Sequence, residues 1–150
     1  LEEINNNQIK PISGWCVDGS TIGGNPGKSE YRCVDIESGK ELFRTHIGFA
    51  SNNIAEFLAL MQALIISNGM CKKVTIYSDS QIAINWVRQC YYNTMVAREE
   101  ETECMFKLLE ESLAWLRVNK KVINDIVWWR GKLWGEIIAD FGRKKIKKRW

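Results

Sequence analysis

Short apolar runs separated by glycine-containing turns occupy the first 50 positions of the sequence. Runs of this length, bounded by turn residues, are typical of β-strands. Three consecutive strands are therefore predicted, over Ser13–Ser20, Ser29–Ile36 and Glu41–Phe49. Because the connections between them are short, the three strands are expected to form an antiparallel meander.

The spacing of the apolar residues becomes helical after Asn53. From Ile54 to Asn68 apolar residues recur every three or four positions, which predicts a helix. Asn53 can cap its first turn, and Gly69 lies where a C-cap is expected. Beyond this helix the pattern predicts, in chain order, strand Val74–Tyr77, helix Ile82–Val87, helix Arg98–Leu116, strand Ile126–Trp129 and helix Gly135–Phe141.

The order of these elements indicates an α/β fold with one five-stranded mixed sheet flanked by helices. Each of the two later strands follows a helix, so both are expected to join the meander in parallel. Sites in such sheets form at the carboxyl ends of the parallel strands. Asp18 lies late in the first strand and Asp79 directly follows the fourth. The two carboxylates are therefore predicted to be neighbours.

Composition favours one soluble domain. The chain has 150 residues, of which 45% are hydrophobic and 26% are charged. No apolar run approaches the roughly 20 residues that span a bilayer, and residues 1–12 are polar, so a cytoplasmic protein is expected. The five cysteines are odd in number and include no Cys-x-x-Cys pair, which argues against a disulfide framework and against a zinc site.

Positive charge is concentrated at the C-terminal end of the chain. Six of the last eight residues are lysine or arginine, and without these six charges the net charge of +3 becomes −3. A basic end of this kind either binds nucleic acid or is simply solvated, and composition does not decide between the two.

Four acidic residues lie in or next to apolar segments, at Asp18, Glu56, Asp79 and Asp140. Each has an ordinary explanation alone: in chain order, a turn residue, a capping-box glutamate, a helix cap and one half of a surface ion pair. Four such coincidences in one chain favour a shared role. Carboxylates gathered in a cleft repel one another unless a cation relieves the repulsion. Oxygen ligands without His or Cys are those that Mg²⁺ or Mn²⁺ prefers.

The four acids belong to short motifs with a definite order and spacing. The motifs are Val17-Asp18-Gly19-Ser20 with Gly24-Asn25-Pro26-Gly27, then Asn52-Asn53-x-x-Glu56, Tyr77-Ser78-Asp79-Ser80-Gln81 and Ala139-Asp140. Together they resemble the type I ribonuclease H family over about residues 13–143. The segment from Trp134 to Gly142 further resembles a compact bacterial branch of that family.

This resemblance implies the ribonuclease H-like fold and endonucleolytic hydrolysis of the RNA strand of RNA–DNA hybrids, with 5′-phosphate and 3′-hydroxyl ends. It also implies two metal ions, Mg²⁺ or alternatively Mn²⁺. Asp18 would bridge both ions, and Asp79 would hold the ion that activates the attacking water. Glu56 and Asp140 would hold the ion on the leaving-group side. The implied partner is the hybrid, with no membrane and no obligate protein partner.

The same resemblance implies a set of substrate contacts. Asn52, Asn53 and Gln81 match family positions that contact the minor groove, where 2′-hydroxyls distinguish RNA from DNA. Asn52 and Asn53 could also cap the helix. Ser20 and Ser51 would contact phosphate or sugar.

The sequence departs from the family pattern in several places. The loop after the last strand has no histidine, and Arg130 and Lys132 would supply positive charge there instead. The sole histidine, His46, is expected to be structural. Glu136 stands where an asparagine is often found, and the basic handle that many relatives carry is reduced to the short stretch 88–98.

The expected organisation is a polar N-terminal extension over residues 1–12, a catalytic domain over 13–143 and a basic tail over 144–150. Two other functions stay open: a catalytically silent hybrid-binding domain, and another polynucleotidyl transferase such as a resolvase or integrase core. The presence of all four carboxylates argues against the first. The Asn52-Asn53 and Gly24–Gly27 motifs favour ribonuclease H over the second.

Overall fold

The structure is a computed structural model and describes residues 9–142 of the chain. Its strands are β1 (Trp15–Ile22), β2 (Gly27–Asp35), β3 (Glu41–Ala50), β4 (Ile76–Ser78) and β5 (Ile126–Trp128). They form one sheet in the order β3-β2-β1-β4-β5. The first three strands pair antiparallel, whereas β4 pairs in parallel with both β1 and β5. The predicted mixed sheet is confirmed.

Three longer helices cover one face of this sheet, and a short C-terminal helix packs on the other face with the irregular segment that follows it. Within residues 9–142 the α-helices are α1 (Asn52–Asn68), α2 (Gln81–Gln89), α3 (Glu103–Val118) and α4 (Gly131–Trp134). Successive side chains of a strand point to opposite faces. Val17 accordingly joins the large core with α1, α2 and α3, while Cys16 joins a smaller cluster with Trp129, Ile137 and Ala139.

Two serines cap the helices next to the acidic residues. The Ser51 hydroxyl accepts a hydrogen bond from the N–H of Ile54 at 3.2 Å, so the predicted cap at Asn53 is wrong and α1 begins at Asn52. Ser80 caps α2 in the same way, through the N–H of Ala83 at 3.1 Å. Serine is among the best N-cap residues because its short side chain reaches the free N–H groups of the first turn.

The helix predicted from Arg98 begins later than expected. The Thr102 hydroxyl accepts a hydrogen bond from the N–H of Glu99 at 2.8 Å, and residues Glu100–Thr102 form a 3₁₀ turn. The α-helix itself starts at Glu103, and a second 3₁₀ turn over Lys120–Asp125 leads into β5.

The helix predicted over Gly135–Phe141 is absent, and the prediction is wrong. Gly135 has φ of 82°, which ends the four-residue helix α4. The carbonyl of Gly135 accepts a hydrogen bond from the indole N–H of Trp129 at 2.9 Å. Ile137 and Ala139 are buried, and the N–H of Asp140 donates to the carbonyl of Ile137 at 2.9 Å, which closes a single turn in place of a helix. The proposed continuation of a helix into the basic tail lies outside the described residues.

No helix within residues 9–142 is long and apolar enough to cross a membrane. His46 is an exposed residue of β3, with its Nδ1 3.9 Å from a carboxylate oxygen of Glu30.

Candidate active site

The position of Glu56 depends on a close approach between α1 and β1. At Gly19 an added Cβ would lie 2.7 Å from the Cβ of Ala55 and 2.8 Å from the backbone nitrogen of Glu56. Real Cβ atoms do not come this near to backbone, so only glycine fits here. Gly19 therefore lets the first turns of α1 lie against the strand that carries Asp18.

Three carboxylates meet at the carboxyl ends of β1 and β4. Asp18, Glu56 and Asp79 each offer an oxygen, and these oxygens lie within 4.8 Å of one another. Asp18 and Glu56 are buried, whereas Asp79 is exposed at the mouth of the site. The predicted proximity of Asp18 and Asp79 is confirmed, and the structure adds Glu56 from α1.

The electrostatics of this carboxylate cluster are unfavourable without a cation. The pKa of Glu56 is raised well above its ordinary value, first by burial, then by the charge of Asp18 and a hydrogen bond with it, and then by the charge of Asp79. The backbone N–H of Gly19 opposes this shift only in part. Each additional negative charge in the cluster therefore favours a proton, or another cation, at Glu56.

The donor set fits a hard divalent cation. The Oε2 atom of Glu56 is buried and has no hydrogen-bond partner. Buried carboxylate oxygens are normally paired, because leaving them unpaired is costly. An oxygen left free next to two further carboxylates is what an oxygen-preferring ion such as Mg²⁺ or Mn²⁺ would bind.

Asp140 faces the same cleft from the irregular C-terminal segment. The cleft has a volume of about 470 Å³, and its lining includes all four acidic residues. One carboxylate oxygen of Asp140, Oδ2, accepts a hydrogen bond from the N–H of Gly142 at 2.9 Å. Asp140 is not part of the group of three whose oxygens lie within 4.8 Å. Asp140 therefore lies in the same cleft but farther from the other three carboxylates than they lie from one another.

The predicted substrate contacts fall into two groups. Ser20 and Asn52 line the cleft with the carboxylates, whereas Ser51, Asn53 and Gln81 lie on the adjoining first turns of α1 and α2. Gln81 is exposed, next to a residue that lines the cleft.

Arg130 and Lys132 lie outside this cleft. The Arg130 guanidinium stacks 5.6 Å from the ring centre of Trp128 and borders a separate depression of about 440 Å³. Trp128 links the two regions, because its indole N–H donates to the carbonyl of Asp79 at 3.4 Å. Lys132 is exposed on α4. Glu136 lines a smaller depression of about 140 Å³ together with Asp79.

Three residues at or beside the cleft were not predicted as site residues. The Oδ1 atom of Asn25 accepts the N–H of Asn52 at 2.9 Å, which ties the turn after β1 to the start of α1. Phe141 lines the cleft next to Asp140. Arg32 contacts the backbone of the Asp140 segment. The Gly24–Gly27 motif contained the signal for Asn25, but no local pattern marks the other two.

The family assignment follows from a comparison with family models. The model described as RNase H matches residues 13–131. The chain belongs to the RNase H family. The ribonuclease H enzyme class expected from the sequence is thereby confirmed, and the compact bacterial branch stays a prediction. The match includes three of the four acids and ends before Asp140.

Solved structures of RNase H proteins resemble this chain. The RNase H domain of prototype foamy virus is 13% identical, with a TM-score of 0.50 over 94% of this chain and 91% of that one, and it confirms the fold. RNase H1 of the archaeon Halobacterium salinarum NRC-1 is 22% identical, with a TM-score of 0.45 over 77% and 79%. LC11-RNase H1 from compost, in complex with an RNA/DNA hybrid, is 23% identical, with a TM-score of 0.45 over 77% and 81%.

Proposed function

We propose that this ribonuclease H hydrolyses the RNA strand of RNA–DNA hybrids with two divalent cations and leaves 5′-phosphate and 3′-hydroxyl ends. One observation carries the proposal. Within the residues that match the family, three carboxylates converge on one cleft, and one of their buried oxygens has no protein partner. That arrangement is stable in the ionised form only when a cation is bound.

The four acids would share the metal-binding role. Asp18, which is buried and lies beside both Glu56 and Asp79, would help to hold both ions. Asp79, exposed at the mouth, suits the ion on the side of the entering water, and Glu56 with Asp140 suits the other. When bound, two such ions supply activation of the water and neutralise charge on the entering and leaving oxygens. Mg²⁺ is the proposed ion, with Mn²⁺ as the alternative.

The remaining polar residues around the cleft would hold the hybrid. Ser20 and Asn52 line the cleft, where they would contact a phosphate or sugar of the cleaved strand. Ser51, Asn53 and Gln81 would extend these contacts along the minor groove, where 2′-hydroxyls identify RNA. Ser51 is already engaged as a helix cap through its side chain, which limits it to a weaker contact. The cytoplasmic location and the lack of an obligate protein partner stay predictions.

A substrate panel tests this proposal. The protein is incubated with an end-labelled RNA–DNA hybrid, double-stranded RNA and double-stranded DNA, each with Mg²⁺ and with EDTA. We expect cleavage only of the RNA strand of the hybrid, and only with Mg²⁺. The new 5′ ends of the products should carry phosphate, so a kinase can label them only after phosphatase treatment. Binding of the hybrid without cleavage would support a silent binding domain. Cleavage of duplex DNA would support another polynucleotidyl transferase.

Replacing Arg130 tests the loop that lacks a histidine. If the Arg130 guanidinium assists the departure of the product phosphate, Arg130→Ala is expected to lower multiple-turnover cleavage by roughly 3- to 10-fold, equivalent to about 0.7–1.4 kcal/mol. Hybrid affinity is expected to fall less. Arg117→Ala, at an exposed arginine of α3, is the control. An unchanged turnover number would show that Arg130 is only a solvated residue.

Removing the basic tail tests its part in substrate binding. Residues 144–150 lie outside the described part of the chain, so the prediction rests on charge alone. Each phosphate contact contributes about 0.9 to the slope of log affinity against log salt. Deleting Lys144–Trp150 is expected to weaken hybrid binding and flatten that slope, with little change in the single-turnover rate at saturating hybrid. A tail of equal length with glutamine at each basic position is the matched control. An unchanged slope would make the tail a solvated end.

A further inference from the structure

Asp140 lies on a backbone segment that is held by a distant side chain. The Nε atom of Arg32 donates to the carbonyl of Ala139 at 2.7 Å, and its Nη2 atom donates to the carbonyl of Asp140 at 2.6 Å. Both are short, charge-assisted hydrogen bonds, a class roughly twice as strong as neutral ones. Within the described residues no helix or strand carries this segment, and the N–H of Asp140 donates only to the carbonyl of Ile137 at 2.9 Å. The two bonds from Arg32 therefore add the contact that ties this turn to the sheet.

Phe141 strengthens the same attachment. The guanidinium carbons of Arg32 and Arg44 lie 5.0 and 5.1 Å from the centre of its ring, within the range of cation–π attraction. Arg44 is in turn fixed by Glu30, with 2.8 Å between Nη1 and Oε1. Phe141, which follows Asp140, is therefore in contact with an arginine from each of the neighbouring strands β2 and β3.

The position of Arg32 on β2 relates the Asp140 segment to the rest of the site. Arg32 lies directly opposite Asp18 in the antiparallel pairing of β1 and β2. Residues directly opposite in such a pair share a face of the sheet. Only 20% of the Arg32 side chain is exposed, so its fork is held in place. Arg32 thus connects the backbone of Asp140 to the strand pair that carries Asp18.

We propose that Arg32 is the positioning residue for Asp140. Its guanidinium, with the Phe141 ring stacked against it, sets the distance between the Asp140 carboxylate and the group formed by Asp18, Glu56 and Asp79. This role rests on the metal-binding part of the proposed function, whereas cation binding can be measured without any cleavage of hybrid. Arginine suits this role because its planar fork donates to both carbonyls in a fixed geometry and lies over the Phe141 ring, whereas the ammonium of lysine has no rigid fork and no planar face.

Cation binding by the free protein provides the first test. Mn²⁺ is titrated into wild type, Arg32→Lys and the control Arg117→Lys by calorimetry, without hybrid. We expect Arg32→Lys to weaken Mn²⁺ binding by about 10- to 100-fold, the range found when residues that orient metal ligands are replaced. The control should bind as wild type does. Single-turnover cleavage by Arg32→Lys should need correspondingly more Mg²⁺ and approach the wild-type rate at saturation.

A double-mutant comparison shows whether Arg32 acts through Asp140. In an Asp140→Asn background, Arg32→Lys is expected to change Mn²⁺ affinity by less than about twofold, because the ligand that it positions is already lost. An equal loss in both backgrounds would overturn the proposal. So would wild-type Mn²⁺ affinity and Mg²⁺ dependence in folded Arg32→Lys, which would mark a purely structural contact.

A milder variant covers the case in which Arg32→Lys does not fold. Phe141→Leu keeps an apolar side chain but removes the ring face, and it is expected to weaken Mn²⁺ binding in the same direction by a smaller factor. Unchanged binding there would contradict the role given to the stacked ring and overturn the proposal. If wild type shows Arg32-dependent Mn²⁺ binding but cleaves no hybrid, the proposed function fails while the positioning role stands. If it cleaves hybrids with no effect of Arg32, only the positioning role fails.

Discussion

Asp79→Asn is expected to lower single-turnover cleavage of the hybrid RNA strand by roughly 10³-fold or more, since a metal ligand contributes several kcal/mol of transition-state stabilisation. The substitution preserves the volume of the side chain and removes its charge. Hybrid affinity in EDTA should stay close to that of wild type. The fold should be unaffected, because Asp79 is exposed and the cap of α2 is Ser80.

Asp125→Asn is the matched control for this experiment. Asp125 immediately precedes β5, at the opposite end of the parallel strands from Asp79. The same chemical change there should leave the cleavage rate unaltered. Near-normal turnover by folded Asp79→Asn, measured beside this control, would contradict the assignment of Asp79 as a metal ligand.

Glu56→Gln is expected to stabilise the protein in EDTA at neutral and alkaline pH while abolishing cleavage. The pKa of Glu56 is raised in the folded state above its ordinary value of 4.5. Its protonated form therefore favours the folded state fully below about pH 4.5, and this contribution is lost as pH rises toward the folded pKa. Glutamine does not ionise. The advantage of the variant should therefore be small near pH 4.5 and grow as pH rises.

The size of this effect follows from the cost of ionising a buried carboxylate next to Asp18 and Asp79. Leaving a buried polar group unsatisfied costs roughly 1–3 kcal/mol, and one kcal/mol corresponds to about 2–4 °C of Tm in a chain of this length. Thermal unfolding of wild type and Glu56→Gln in EDTA, from pH 4.5 to 8.5, measures it. With saturating Mn²⁺ the order should reverse, because the cation stabilises wild type more. Parallel Tm curves for the two proteins would contradict the described electrostatics.

The sequence was sufficient to predict that Asp18 and Asp79 are neighbours. Their proximity follows from strand order alone, since the carboxyl ends of adjacent parallel strands meet at the same edge of the sheet. The position of Glu56 could not be predicted from strand order, because it depends on a tertiary contact. That contact is the close approach of α1 to Gly19, which lies 37 positions before Glu56. A helical pattern locates Glu56 on α1 but does not show which partner that turn of the helix meets.

The surroundings of Asp140 could not be predicted in the same way. Apolar residues at 137, 138 and 141 fit a helical spacing, yet the chain there forms only a single turn within an irregular segment. Long-range contacts decide the outcome: the Trp129 indole binds the Gly135 carbonyl, and Arg32 binds the backbone 107 and 108 residues away. Local propensity is a weak prior when tertiary bonds of this kind compete with it.

The central claim is that four carboxylates form one two-cation site for hybrid cleavage, and counting bound cations tests it most directly. Equilibrium dialysis of Mn²⁺ is carried out with the protein bound to a hybrid whose RNA strand has a cleavage-resistant phosphate backbone and keeps its 2′-hydroxyls. The account predicts two Mn²⁺ per chain beyond those bound by the hybrid alone, and their loss in Asp18→Asn. Mn²⁺ binding no greater than that of the free hybrid, or unchanged by Asp18→Asn, would contradict it.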